Sequence, residues 1–283
     1  MVSVLQNARG GTTGEKLSAL VDRYGPDLPL DVVLALCAVD EDPSLHVEDL
    51  VLELDRFDKA LTIPPDTGCV EQFARILYHL LHHHSLQIVE APTQLDTALT
   101  ERRASPSLLA CMTLDLARRS GIAMYAIASS GVLVLKHAVA EPSFYVDFSQ
   151  PEPVMGTRCL LRRFEAKEFS APWADAVAPI SNLQVVIRVN QETKRLAMLA
   201  GEFPMALRAV ERILAVAPHY AAAHRDRGLL LIRLGRVSDG LQALDTYLSW
   251  EPFAIDGEDV IQLLHTLEST PSFVGFEPEA PEA

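Results

Sequence analysis

The sequence predicts an α+β fold: a helical first domain around a small antiparallel sheet, followed by an all-α solenoid of stacked helix pairs. Three observations carry this. Apolar residues recur at helical spacing between Leu28 and Gly121, short β-branched and aromatic runs take over from Met124 to Phe148, and helical spacing returns from about Ser181 with an internal repeat.

The repeat is the most specific of the three. Gly201 and Gly235 stand 34 positions apart, and at the same offset Ala206 answers to Gly240, Leu207 to Leu241, Val210 to Leu244, Leu214 to Leu248 and Pro218 to Pro252. Small residues at helix junctions with a closing proline at this period mark tetratricopeptide helix pairs. One such pair cannot bury its own apolar face, so pairs stack and present a surface for another polypeptide.

With 283 residues the chain holds one large domain or two ordinary ones. Lys and Arg number 24 against 38 Asp and Glu, a net charge of −14, so nucleic acid is not an expected partner. The four cysteines, Cys37, Cys69, Cys111 and Cys159, are scattered, forming neither a zinc motif nor a disulfide framework. Met1–Gly14 has no apolar leader core, and no apolar run is long enough to span a membrane. A soluble, reducing, cytoplasmic setting is expected, with no membrane partner. Oligomeric state leaves no trace in the sequence.

In chain order, residues 1–14 read as a disordered Gly/Thr-rich arm. Helices are expected at Leu28–Ala38, at His46–Leu61 and at Val70–His84, the last with Phe73, Ile76, Leu77, Leu80 and Leu81 as its buried stripe. Ser105–Ser120 reads as the most buried helix, with Ser105 as N-cap, Pro106 at the first helical position and Gly121 ending it. Met124–Ala128, Val132–His137 and Phe144–Phe148 read as strands, with Ser129-Ser130-Gly131 turning the first into the second. Cys159–Leu161 reads as a further strand. Helices follow at 182–200, 203–216, 220–234, 237–250 and 258–268, and residues 271–283 form an acidic, Pro-rich disordered tail. The first domain thus covers 15–180 and the repeats 181–270, with the last helix as a cap.

Several of these stretches are familiar together. Ala38-Val39-Asp40-Glu41-Asp42-Pro43, Leu54-Asp55, Arg102-Arg103, Ala117-Arg118-Arg119-Ser120-Gly121-Ile122, Tyr145-Val146-Asp147 and Asp226-Arg227-Gly228-Leu229-Leu230 occur in that order. In this the chain resembles the bacterial SirB-type family, a transglutaminase-like domain joined to tetratricopeptide repeats. The resemblance implies a papain-like first domain. Its chemistry would need a cysteine at the N-terminus of the buried helix, a histidine on the next hairpin and an acid on the following strand. The helix end stabilises the thiolate, the imidazole takes its proton, and the acid orients the imidazole.

At those places the sequence has other residues. The nucleophile's place falls at or next to Pro106, whose neighbours are Ser105 and Ser107, and the histidine's place falls at Val132. The acid alone is kept, as Asp147. Cys111 lies five residues beyond Pro106, about 7.5 Å along the helix and roughly 140° around it. His137 lies five residues beyond Val132, about 16 Å along the strand and on its opposite face. A displaced Cys111–His137 pair, or a serine nucleophile at Ser105 or Ser107, would make a rearranged hydrolase or acyl transferase. A buried core cysteine and an exposed strand-end histidine is the plainer reading.

Two further clusters stand out. His79, His82 and His83 are spaced i, i+3, i+4 and could share a zinc or nickel ion. The apolar stripe beside them turns them toward solvent, so they read as a solvated face and no cofactor is expected. In the repeats, the groove-facing positions are Arg188, Gln191, Arg195 and Met198, then Ala222, Arg225, Leu229, Ile232 and Arg233. Four arginines, Arg188, Arg195, Arg225 and Arg233, suit an acidic peptide or carboxylate, unless the first domain or Asp226 already pairs with them. The leading expectation is a non-catalytic adaptor working through that groove, with a rearranged hydrolase as the alternative.

Overall fold

The structure is a computed structural model and describes residues 11–59, 61–64, 66–129, 132–140, 143–166 and 177–269. It opens on a helix, α1 (Thr13–Tyr24), where a disordered arm is expected. The Thr12 hydroxyl accepts from the Glu15 N–H, and the Glu15 carboxylate accepts from the Thr12 N–H at 2.7 Å. This reciprocal pair satisfies two donors that a helix start leaves orphaned, so Thr13 and Gly14 are helical. Residues 1–10 of the expected arm lie outside the described residues, as do 271–283 of the expected tail.

α2 (Leu30–Glu41) is buried continuously from Leu30 to Ala38. α3 (Val47–Asp58) is amphipathic and turns Leu50, Leu54 and Phe57 inward. α4 (Cys69–Leu77) runs into a single π-helical turn, Tyr78–His83. A short parallel pair, β1 (Gln87–Ile88) and β2 (Arg103–Ala104), flanks α5 (Leu95–Thr100). α6 (Pro106–Arg119) is the central helix, buried at every residue from Pro106 to Ala117. Ser105 caps it by accepting from the Leu108 N–H at 3.4 Å. Gly121, with φ 72°, lets the chain leave it through the left-handed region.

The sheet is antiparallel and five-stranded. Its strands are β3 (Met124–Ser129), β4 (Val132–His137), β5 (Phe144–Val146), β6 (Val154–Gly156) and β7 (Pro179–Ile180), in the order β6-β5-β4-β3-β7. Ser130 and Gly131 of the expected hairpin turn lie outside the described residues. Leu133 and Leu135 enter the main core with α6, while Val134 packs on the opposite face with Ile127, Tyr145, Met155 and Leu160.

Leu160 marks a correction. Cys159–Leu161 is not a strand but part of α7 (Thr157–Ala166). Leu160 is buried while Arg158, Cys159, Leu161 and Arg162 are exposed. One inward residue per turn suits a helix lying on the sheet and does not suit a half-buried strand.

The solenoid comprises α8 (Asn182–Ala200), α9 (Phe203–Val216), α10 (Ala221–Arg233), α11 (Val237–Trp250) and α12 (Gly257–Glu268). Gly201 and Gly235 follow α8 and α10 with φ of 79° and 80°, so the sequence repeat is also a repeat of backbone conformation. α10 and α11 touch backbone to backbone: a Cβ on Gly228 would come within 2.9 Å of the Gly240 carbonyl oxygen.

The two parts are not separated at residue 180. Val185, Val186 and Val189 of α8 belong to the main core of the first domain, whereas Ala197 belongs to the core of the repeats. A buried cation strengthens the join. Arg212 of α9, only 2% exposed, donates to the Cys37 carbonyl at 3.0 Å and to Glu41 at 2.9 Å, and Asp40 lies at 3.3 Å. Arg208 pairs with the same Glu41 at 2.5 Å.

Candidate functional site

The N-terminus of α6 is where the resemblance to a transglutaminase-like domain leads one to expect a nucleophile. The first turn of a helix presents backbone N–H groups and a positive end to whatever lies before it. Pro106 has no N–H to offer. The Leu108 N–H is used by Ser105, and the Ser105 N–H by the Thr93 hydroxyl at 2.7 Å. The Ser107 N–H donates to the Glu192 carboxylate of α8 at 2.8 Å. A carboxylate from α8 therefore takes up a backbone donor in the first turn of α6.

The other expected site residues are dispersed. Val132 begins β4, its backbone paired with Ser129. Asp147, just after β5, is buried and accepts from the Ser149 N–H at 2.8 Å and the Ser149 hydroxyl at 2.5 Å, holding the turn that follows. Cys111 is 1% exposed, and burial followed by the charge of Asp115 pushes its thiol well above its ordinary value. A thiol so placed stays protonated and unreactive.

His137 corrects an expectation. It is not an exposed strand-end residue but is 2% exposed, on the same face of β4 as Leu133 and Leu135. Its Nε2 lies 3.2 Å from the Gln72 Oε1, and its Nδ1 accepts from the Val139 N–H at 3.3 Å. Both ring nitrogens are engaged, and burial lowers the pKa of the imidazole.

A second correction concerns the histidine helix. His82 and His83 are exposed as expected, but His79, three residues after the buried Ile76 and at the start of the π-helical turn, is buried. His82 stacks on Tyr78 instead. The residues that meet are His79, His83 and His84, whose ligating nitrogens all lie within 4.8 Å of one another.

The groove of the repeats is open at one end. The first domain covers the N-terminal half of α8, and beyond it Met198, Phe203, Asp226, Leu229, Leu230 and Arg233 line a cavity of about 340 Å³. Met198 and Leu229 remain 47% and 42% exposed in it. The four groove arginines differ in state. Arg225 pairs with Asp256 at 2.7 Å and with Asp226 at 3.2 Å, so its charge is met within the protein. Arg188 donates to the Gln191 side chain at 3.4 Å. Arg233 lies over the Phe203 ring at 4.8 Å and has no ion pair among the described residues. Arg195 is exposed and has no ion pair among the described residues. Asp226 also takes Lys194, so the groove is not free of acid.

Sequence reasoning missed Glu192 and Asp256. Glu192 is 85 positions from Ser107, and nothing local signals the contact.

Comparison with known proteins agrees with this architecture. A model of the Transglutaminase-like superfamily matches residues 41–191, and a Tetratricopeptide repeat model matches residues 194–268. A UPF0162 protein of Xylella fastidiosa strain Temecula1 is 26% identical over 163 residues, 56% of this chain and 58% of that protein. The corresponding protein of strain 9a5c is 25% identical over the same length, so the chain matches little more than half of either relative. A crystal structure of menin, described as revealing its binding site for Mixed Lineage Leukemia protein, aligns with 91% of this chain and 75% of its own at 10% identity and a TM-score of 0.38, too loose a likeness to bear on function. The superfamily match extends over more than half of the sequence, and this chain belongs to the transglutaminase-like superfamily.

Proposed function

We propose that this chain is a non-catalytic interaction protein. In this reading the transglutaminase-like domain is a rigid body, and the repeats hold a segment of another protein. The observation that carries the proposal is the Ser107 N–H to Glu192 hydrogen bond at 2.8 Å, because it takes up a backbone donor in the first turn of α6, where the resemblance leads one to expect a nucleophile. The surroundings of Cys111 and His137 lend no support to a displaced catalytic pair.

Repeats of this kind bind polypeptides, and the open end of the groove offers an apolar floor with a cation at its edge. Among the described residues Arg195 and Arg233 have no ion pair and are the arginines this reading assigns to an acidic partner, whereas Arg225 orders the groove from within. The fitting ligand is an acidic peptide carrying an apolar anchor for the cavity between Met198 and Leu229. The order of the two domains supports the SirB-type placement, and four free cysteines fit a reducing cytoplasmic setting.

The test is affinity capture from the native cell with wild type and with Arg195→Glu/Arg233→Glu. The reading expects a protein retained by wild type and lost from the variant. Identical retained sets would end it.

A further inference from the structure

The π-helical turn brings two imidazoles onto one backbone carbonyl and a third beside them. Phe57 lies in the last turn of α3, where helix carbonyls lack an intrahelical donor and carry the negative end of the dipole. Its oxygen is 2.9 Å from the His79 Nε2 and 2.9 Å from the His84 Nε2, and those two nitrogens are 3.2 Å apart. His83 stacks on His79 with ring centroids 5.3 Å apart and meets His84 edge-on at 4.8 Å.

Neutral imidazoles cannot satisfy that triangle. If both Nε2 atoms carry protons, two donors face each other at 3.2 Å. If one carries a proton, the other turns a lone pair toward the carbonyl oxygen at 2.9 Å. Each arrangement leaves one close contact between like groups. A cation above the triangle removes the conflict, because all three atoms can then present lone pairs to it.

We infer that His79, His83 and His84 form a binding site for a divalent transition-metal ion of the zinc class. The spacing suits it: two nitrogens on tetrahedral zinc stand about 3.3 Å apart, given Zn–N bonds of about 2.0–2.1 Å. His79 and His84 already stand at that bite, and the exposed His83 is free to swing in as the third ligand. Three imidazoles favour zinc, copper or nickel over the hard cations that prefer oxygen.

His79 and His83 also line a cavity of about 580 Å³ with Glu71, Arg75, Tyr78 and Thr62, which leaves a fourth position open to water or a small ligand. The site lies away from the N-terminus of α6 and does not depend on the interaction role proposed above.

The experiment is calorimetric titration of the full chain, free of any histidine tag, with Zn²⁺ at pH 7.5. Wild type is expected to bind one equivalent, and His83→Ala, an exposed substitution that leaves the core untouched, to lose at least about tenfold in affinity. His84→Ala should lose as much, and His82→Ala should bind as wild type does. Failure of wild type to bind would overturn the inference. So would an equal loss in His82→Ala, since that would mean loose chelation by a histidine-rich surface.

Discussion

The carboxylate of Glu192 accepts a hydrogen bond at 2.8 Å from the backbone N–H of Ser107, joining the first helix of the repeats to the start of the most buried helix of the transglutaminase-like domain. One interaction thereby does two things. It satisfies a donor that α6 would otherwise leave orphaned, and it ties the repeats to the domain that precedes them. Replacing Glu192 with Ala removes a charge-assisted bond at a helix N-terminus and should cost about 1–2 kcal/mol. Urea denaturation checks this. A loss below the error of the measurement would show that the contact is incidental.

Arg212 should be less tolerant. It is almost wholly buried, with Glu41 at 2.9 Å and Asp40 at 3.3 Å, and truncation removes the guanidinium beside Asp40 and leaves Glu41 to Arg208 alone. Breaking a buried pair from one side costs about 3–5 kcal/mol. Arg212→Ala should therefore shift the urea midpoint far more than Arg236→Ala, whose Asp239 pair is exposed. Equal shifts would contradict the buried-pair account.

Gly228 tests the contact between α10 and α11. A methyl group there would meet Leu244 Cγ at 2.6 Å and the Gly240 carbonyl oxygen at 2.9 Å. The carbonyl belongs to backbone and cannot turn aside, so Gly228→Ala should destabilise the repeats by about 1–3 kcal/mol despite its better helix propensity. Gly14→Ala, whose new methyl would have no heavy atom closer than 3.8 Å, is the control and should be neutral or slightly stabilising. Hydrogen exchange of α10 and α11 locates the effect.

Asp58 predicts a pH dependence. Arg119 is shared among Asp31, Asp55, Asp58 and Asp115, and Arg118 also leans on Asp115, so two guanidinium groups face four carboxylates. Burial, with the charges of Asp115, Asp55 and Asp31 adding to it against Arg119, raises the Asp58 carboxyl from 3.8 to about 7. Between those two values the folded chain keeps a proton that the unfolded chain has released. The stability from this group is thus full below about 4 and lost as pH rises through 7. Asp58→Asn should stabilise the protein relative to wild type by about 1–3 kcal/mol more at pH 8 than at pH 4. A difference unchanged with pH would refute this.

The elements that the sequence disclosed are those with local causes. The 34-residue offset reports helix pairs because each pair repeats its own junctions, and Gly201 and Gly235 take the same left-handed conformation. Ser105, Pro106 and Gly121 mark both ends of α6 through capping that involves only neighbouring residues. What stayed hidden depends on contacts across the fold. The π turn at Tyr78–His83, with His79 buried at its start, is one such case, and no propensity announces it. Thr12 and Glu15 did carry a capping signal, overlooked beneath the glycines around them. Arg208 and Arg212, four apart on one helix face, signal an acidic partner, but only the fold identifies it as Asp40 and Glu41.

The central claim is that this protein works by binding in the groove of α8 and α10 rather than by chemistry at the start of α6. Fluorescence anisotropy with a panel of acidic peptides bearing one apolar anchor tests it most directly, using wild type, Arg195→Glu/Arg233→Glu and Glu192→Ala. The account predicts binding by wild type and by Glu192→Ala, and a loss of at least about tenfold in the arginine variant, equal to about 1.4 kcal/mol. Binding that survives the arginine changes but disappears with Glu192→Ala would contradict it.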